Sequence, residues 1–146
     1  MPHIIKAVIP LPNHELQIHF RNGITKRCDI KPMIAEIDLY RHYLSDEKTF
    51  RQVHVSDDGE SVVWNEDLDC GCEALWQNGR DAKSPFDSLL SCSDAALLWH
   101  LDESTLRKAI ADGRLREGAD VMKFGKQWVV TSKAMTRLFG DPMLRR

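Results

Sequence analysis

The chain has little of what marks a membrane, secreted or catalytic protein. Its apolar stretches stay well short of the roughly 18 residues that a membrane-spanning helix needs, so no span is expected. The start, Met1-Pro2-His3-Ile4-Ile5-Lys6, lacks the basic segment and longer apolar core of a secretory signal. With Met1 as the native start, a cytoplasmic location is expected. Neither sign of charge dominates: 20 Lys+Arg against 22 Asp+Glu leave a net of −2, and charge alone names no partner.

Cysteine is sparse, at four residues, Cys28, Cys70, Cys72 and Cys92. In a reducing compartment they should stay thiols. Cys70-Gly71-Cys72 lacks the spacing of about two to four residues, and the nearby second pair, that zinc sites use, so we read buried or incidental thiols and no metal. No glycine-rich phosphate loop is present. His14, His19, His42 and His54 fall in different elements, and no Ser or Cys has the local setting of a nucleophile. Glu66, Asp67 and Asp69 read as an acidic surface turn. Neither an enzyme nor a bound cofactor is expected.

What is present is a globular composition, 42% hydrophobic and 29% charged, which argues against disorder. A length of 146 residues allows one domain or two small ones. Charge separates the halves: residues 1–85 hold 10 Lys+Arg and 14 Asp+Glu, while residues 86–146 hold 10 and 8. The acidic first half suits protein contact better than nucleic acid.

The first half alternates as strands do. Ile4 to Ile9 is a β-rich run stopped by Pro10 and Pro12. Leu16, Ile18 and Phe20 alternate with polar residues, and Asn22-Gly23 is a strong hairpin signal with Thr25 to Ile30 returning as partner. Pro32 suits the first turn of a helix running toward Leu39. Ser45 could cap a helical turn through Lys48. Val53 to Val55 and Ser61 to Trp64 flank Asp57-Asp58-Gly59 as a second hairpin, and Leu68 to Trp76 reads as a closing helix. The expectation is an α+β domain over residues 1–78, built on one antiparallel sheet of about four or five strands. The polar, Gly- and Pro-punctuated stretch that follows Asn78 makes 79–88 the expected linker, with Phe86 and Leu89-Leu90 pinning the second domain, 89–146, against the first.

The second half carries the functional signal. Ser93 to His100 has helical composition, with Ser91 or Ser93 as N-cap. After Leu101 a second helix, roughly Glu103 to Asp112, is capped by Asp102 or Ser104 and closed by Gly113. Leu106, Ala109 and Ile110 share one stripe of that helix. Ser104, Lys108 and Ala111 face away from it, flanked by Thr105 and Arg107. Val121 to Phe124 and Gln127 to Val130 form a hairpin around Gly125-Lys126, with the Gly-X order of a type II′ turn. Thr131 caps a last helix that Gly140 and Pro142 end. Helix, turn, helix, hairpin, helix is the order of a winged helix-turn-helix domain.

The motifs also carry resemblances. Leu16-x-Ile18-x-Phe20-x-Asn22-Gly23, Asp29-Ile30-Lys31-Pro32, Leu44-Ser45-Asp46, Phe50-x-x-Val53 and Val63-Trp64 followed by Asp67-Leu68 resemble a bacterial family of small domains of unknown function. Asn65-Glu66 stand where that family often has Pro, Asn and Gly. Ala95-Ala96-Leu97-Leu98-Trp99, Thr105 to Ile110, Lys123 to Trp128 and Ala134 to Leu138 resemble a helix-turn-helix family. The resemblance implies a prokaryotic, regulator-like protein, of the kind also found in toxin–antitoxin-like pairs.

Together these readings point to a two-domain DNA-binding transcriptional regulator. Ser104, Thr105, Arg107 and Lys108 would approach the major groove, and Lys123 and Lys126 would meet phosphate from the hairpin. Asp102, Glu103 and Asp112 sit at the ends of the recognition helix, where carboxylates oppose phosphate. So few cations suggest a homodimer with two recognition helices. The rival is a protein-interaction module, an adaptor or antitoxin-like neutraliser acting through the acidic domain and its exposed strand edges.

Overall fold

Residues 15–20 alternate half-buried and buried along their length, because a strand sends successive side chains to opposite faces. This strand, β2 (Glu15–Phe20), is the spine of the first of two compact units, which lies within residues 2–85; the second runs from Phe86 onward. The computed structural model describes residues 3–142. Met1 and Pro2 of the chain start, and 143–146 of the expected second domain, lie outside the described residues.

In the first unit β2 pairs antiparallel with β1 (Ile5–Leu11) and with β3 (Thr25–Asp29). Asn22 and Gly23 shape the β2–β3 turn: Gly23 takes φ 88 and the Asn22 side chain accepts from the Ile24 amide at 3.0 Å. Two short helices follow, α1 (Lys31–Glu36) and α2 (Asp38–Leu44), then the single turn α3 (Glu47–Phe50). Next come β4 (His54–Val55), β5 (Ser61–Asn65), β6 (Leu68–Gly71), α4 (Cys72–Asn78) and β7 (Arg80–Asp81). The described strands form two sheets in this unit, in the orders β1-β2-β3-β7 and β4-β5-β6. The core of the unit includes Leu16, Ile18, Phe50, Val62, Trp64, Leu68 and Leu75. The Trp64 indole Nε1 donates to the Phe50 carbonyl at 3.0 Å, so the ring's polar edge is satisfied as its body is buried.

Several expectations for this unit are corrected. Pro10 does not stop β1 but lies inside it, opposite Leu16; β1 is an edge strand, where a missing amide costs no ladder bond. The helix begun at Pro32 breaks at Ile37, whose φ −112 and ψ 113 are extended, so two helices replace one. Asp46, not Ser45, precedes the single turn and accepts from the Thr49 hydroxyl. Leu68–Gly71 is strand rather than helix, with Leu68 and Cys70 buried in alternation. Two sheets replace the single sheet. Arg80–Asp81, placed in the linker by sequence, pair with Arg27 and Lys26 of β3.

One glycine links the two sheets. Gly59, in the β4–β5 turn, takes φ 72, and its carbonyl accepts from the Ile5 amide at 2.8 Å. A Cβ there would lie 2.6 Å from Ile4 Cγ2 and 2.8 Å from the Ile5 oxygen. Gly59→Ala is expected to cost about 2–4 kcal/mol, from left-handed strain plus overpacking. Gly71→Ala, where nothing lies within 4 Å, should cost under about 1 kcal/mol. Amide hydrogen exchange resolved to β1 and β5 measures both; equal effects would mean that the close approach at Gly59 is relieved without cost.

The second unit contains β8 (Leu89–Ser91), α5 (Cys92–Leu98), α6 (Glu103–Ala111), β9 (Val121–Phe124), β10 (Gln127–Thr131) and α7 (Ser132–Phe139). Its antiparallel sheet has the order β8-β10-β9. Leu89 and Leu90 pair with Thr131 and Val130 as a third strand. The core gathers Leu90, Ala95, Trp99, Leu106, Ala109, Leu115, Val121, Val130 and Met135, with Leu98, Ile110, Trp128 and Leu138 packed against it. Ser91 accepts from the Asp94 amide, and Thr131 from the Ala134 amide, as N-caps of α5 and α7. No helix among the described residues is long and apolar enough to cross a membrane.

The chain is thus α+β: an antiparallel N-terminal unit with short helices, and a C-terminal unit with three helices and a three-stranded sheet among the described residues.

Candidate nucleic-acid interface

The turn between α5 and α6 is set by the backbone. His100 takes φ 56, the Leu101 amide donates to the Ala96 carbonyl at 2.8 Å, and the His100 amide donates to that of Leu97 at 3.3 Å. This crossed pair is a Schellman closure with a non-glycine residue in the left-handed position. It redirects the chain within four residues, so that α6 starts at Glu103 behind Asp102. At the other end Gly113, with φ 84, closes α6 as expected.

On α6, Leu106 and Ala109 are fully buried and Ile110 half-buried. Ser104, Arg107, Lys108 and Ala111 are exposed, and Thr105 is half-buried beside them. At 3.6 residues per turn, 104, 107, 108 and 111 share one face. Arg107 and Lys108 make no ion pair among the described residues, so both cations are available to an outside anion.

The carboxylates at the ends of α6 are partly answered from within the fold. Asp112 is held by Arg114, whose Nε lies 3.0 Å from both of its oxygens. Those bonds lower the Asp112 pKa. Glu103 accepts from the Ser93 hydroxyl at 3.0 Å, across the turn. Asp102 is exposed, and its side chain makes no capping bond.

β9 and β10 form the expected hairpin, with Phe124 opposite Gln127 and Gly125 at φ 62 in the turn. Lys123 and Lys126 are exposed. The Lys123 ammonium lies 5.8 Å from the centre of the Trp128 ring, at the outer reach of a cation–π contact. The structure therefore brings Ser104, Thr105, Arg107 and Lys108 onto one helix, and Lys123 and Lys126 onto one hairpin.

Sequence reasoning missed the residues that hold the segment between α6 and β9 in place. Asp120, which is 5% exposed, receives Arg137 in a bidentate pair, Nη1 to Oδ1 at 3.0 Å and Nη2 to Oδ2 at 2.8 Å. The Arg116 amide donates to the same carboxylate at 2.9 Å, and the Thr131 amide to the Asp120 carbonyl at 3.0 Å. Arg137 also reaches the Arg114 carbonyl at 3.3 Å. The node ties the segment after α6 to both β10 and α7. The Arg137 guanidinium, followed by the Arg116 amide, holds the Asp120 carboxyl far below the usual carboxylate range. A carboxylate directly before an apolar strand was the available signal, but its partner lies 17 residues on.

Elsewhere, Cys28, Cys70 and Cys72 are buried in the first core. Burial pushes the Cys70 thiol up to about 12, which makes it a poor thiolate. No group of three or more His, Cys, Asp and Glu among the described residues is placed to hold a metal ion.

Residues 5–81 match a family described as a protein of unknown function, DUF2442. Residues 82–143 match a family described as a helix-turn-helix domain. These are the two resemblances that the motifs carry, in the same order. No curated protein matches the chain. A similar solved structure is that of a Nitrosomonas europaea protein provisionally described as DNA-binding. It is 14% identical, with a TM-score of 0.46, and the match covers 94% of this chain and 75% of that one. That likeness is too distant to inform function.

Proposed function

The chain belongs to the DUF2442 family of proteins of unknown function and carries a helix-turn-helix domain behind that module, and from this premise we propose a DNA-binding transcriptional regulator. The observation that carries the reading is the outward face of α6: Arg107 and Lys108 exposed, outside any ion pair among the described residues, and backed by a fully buried Leu106. Helix α6 lies in the major groove. Ser104, Thr105, Arg107 and Lys108 face base edges and phosphates there, with Arg107 placed to make a bidentate contact to guanine. Lys123 and Lys126 meet phosphate from the hairpin. The residue set offers few cations, so two copies act together, presenting recognition helices about 34 Å apart. A sedimentation analysis finding only monomer across micromolar concentrations, with and without DNA, would remove the dimer from the proposal.

Lys126→Ala tests the hairpin. Loss of one phosphate contact weakens all duplexes alike and lowers the slope of log K against log salt by about one unit. Fluorescence anisotropy at several salt concentrations reads this directly. An unchanged slope takes Lys126 off the interface.

A second reading concerns the first unit. Its sequence is net acidic, and Ile37, Leu39 and Tyr43 are exposed around α2, each above 40%. Exposed apolar side chains on a net-acidic unit suit a basic protein partner, as in an antitoxin-like neutraliser. Stoichiometric co-purification of a partner from native cells, lost on Leu39→Glu, supports this role; purification of the chain alone opposes it. The two readings are compatible, one for each unit.

A further inference from the structure

The hairpin carries more than phosphate contact requires. Met122 and Phe124 are 52% and 59% exposed. Both lie on β9, an outer strand of its sheet, and strand alternation puts them on the face opposite the buried Val121. Phe124 is the last residue before the turn, opposite Gln127. The space around Gly125 is open, with nothing within 4 Å of a Cβ built there. Phe124 therefore stands beside the two-residue turn, with Met122 two residues back on the same face of the strand.

The charge around them selects the occupant. Residues 121–140 contain Lys123, Lys126, Lys133 and Arg137 and no Asp or Glu. Arg137 is engaged with Asp120, while Lys123, Lys126 and Lys133 are exposed. Glu117 bridges to Val121, at the end of β9 away from the tip. Lys126 stands in the turn and Lys123 on the opposite face of the same strand, beside Trp128, so a second copy docked tip to tip would bring both pairs of lysines together, which like-charge repulsion opposes. A polyanion with an apolar interior is complementary. The minor groove of duplex DNA offers both, phosphate rims and a stack of base pairs that an apolar side chain can wedge apart.

We propose that the hairpin enters the minor groove of duplex DNA and that Phe124, backed by Met122, wedges against a base step and bends the duplex, while Lys123 and Lys126 hold the phosphates on either side. This rests on the reading that α6 occupies the adjacent major groove. It assigns the hairpin a role in recognising deformable sequence, since pyrimidine–purine steps such as T–A open most easily. Indirect readout of this kind also supplies specificity that the few cations of α6 do not.

The test uses the full chain and a mixed-sequence duplex about four helical turns long with a central T–A step, carrying 2-aminopurine beside that step. Wild type is expected to raise the 2-aminopurine fluorescence and to shift mobility in a circular-permutation bending assay. Phe124→Ala should abolish both signals and weaken binding by about tenfold without changing the salt slope. Phe124→Leu should retain the bend. Because the side chain is exposed, both variants should melt as wild type does.

Binding and bending unchanged in Phe124→Ala would overturn the wedge and leave the α6 reading intact, provided Arg107→Ala still weakens binding. No retention of any duplex by wild type would overturn both. A wild-type dimer that Phe124→Ala dissociates in the absence of DNA would assign the face to a second copy and overturn the wedge.

Discussion

Arg107→Ala is expected to weaken binding to the chain's preferred duplex by about five- to 150-fold, equivalent to about 1–3 kcal/mol. It should also relax discrimination at a single base pair. The size follows from position: Arg107 is exposed in the middle of α6, between one turn carrying Ser104 and the next carrying Ala111. A guanidinium there forms a planar two-donor fork that matches the O6 and N7 acceptors of guanine. Lys108, a point charge beside it, should when replaced weaken every sequence alike. Titrating duplexes with single-base changes separates the two. If Arg107→Ala and Lys126→Ala both bind as wild type, the DNA-facing surface lies elsewhere.

Asp120→Ala is expected to lower the stability of the second unit by about 2–3 kcal/mol. Its carboxylate accepts the Arg137 fork and the Arg116 amide, and removing it leaves that part-buried amide unpaired. The cost falls short of that for a fully buried ion pair because the Arg137 side chain is 50% exposed and can rehydrate. The same bonds make the unit acid-labile. The folded carboxyl lies far below its unfolded value, so the stabilisation is complete above the unfolded pKa of about 4 and is lost as pH falls below it. Thermal melting between neutral pH and pH of about 3 should therefore fall more steeply for wild type than for Asp120→Ala. Parallel slopes would mean that the node contributes little. The variant should also expose β9 amides to exchange, since the node anchors the segment leading into that strand.

Much of this architecture was legible because it is local. The alternation of Leu16, Ile18 and Phe20, the Asn22-Gly23 turn, the Thr131 cap and the stripe of Leu106, Ala109 and Ile110 each lie within a few residues, where side-chain period and backbone preference speak directly. The failures have a common origin in distance along the chain. Leu68–Gly71 looks helical until its pairing with β5 is known. Arg80–Asp81 and Leu89–Ser91 are too short to show a period, and become strands through β3 and β10. Pro10 is acceptable only because β1 has no partner ladder on its outer side. His100 in the left-handed region carries no glycine to announce it.

The candidate interface divides in the same way. Its outward residues follow from helical period, whereas the answers to its acidic ends do not. Arg114 on Asp112 and Ser93 on Glu103 join residues that no helical period relates, and the Arg114 pair offsets one of the carboxylate charges that oppose phosphate. Phe124 looks in sequence like an ordinary strand residue. Only the register, which leaves it on an outer strand at the turn, shows that it faces open space.

The central claim is sequence-specific DNA binding. The most direct test is to incubate the purified full chain with sheared genomic DNA from its own source, at low and near-physiological salt, and to sequence what it retains. Enrichment of one short palindromic site that survives the higher salt, with half-sites about one helical turn apart, is the expected result. Retention at low salt alone with no site enriched, or no retention at all, would contradict it.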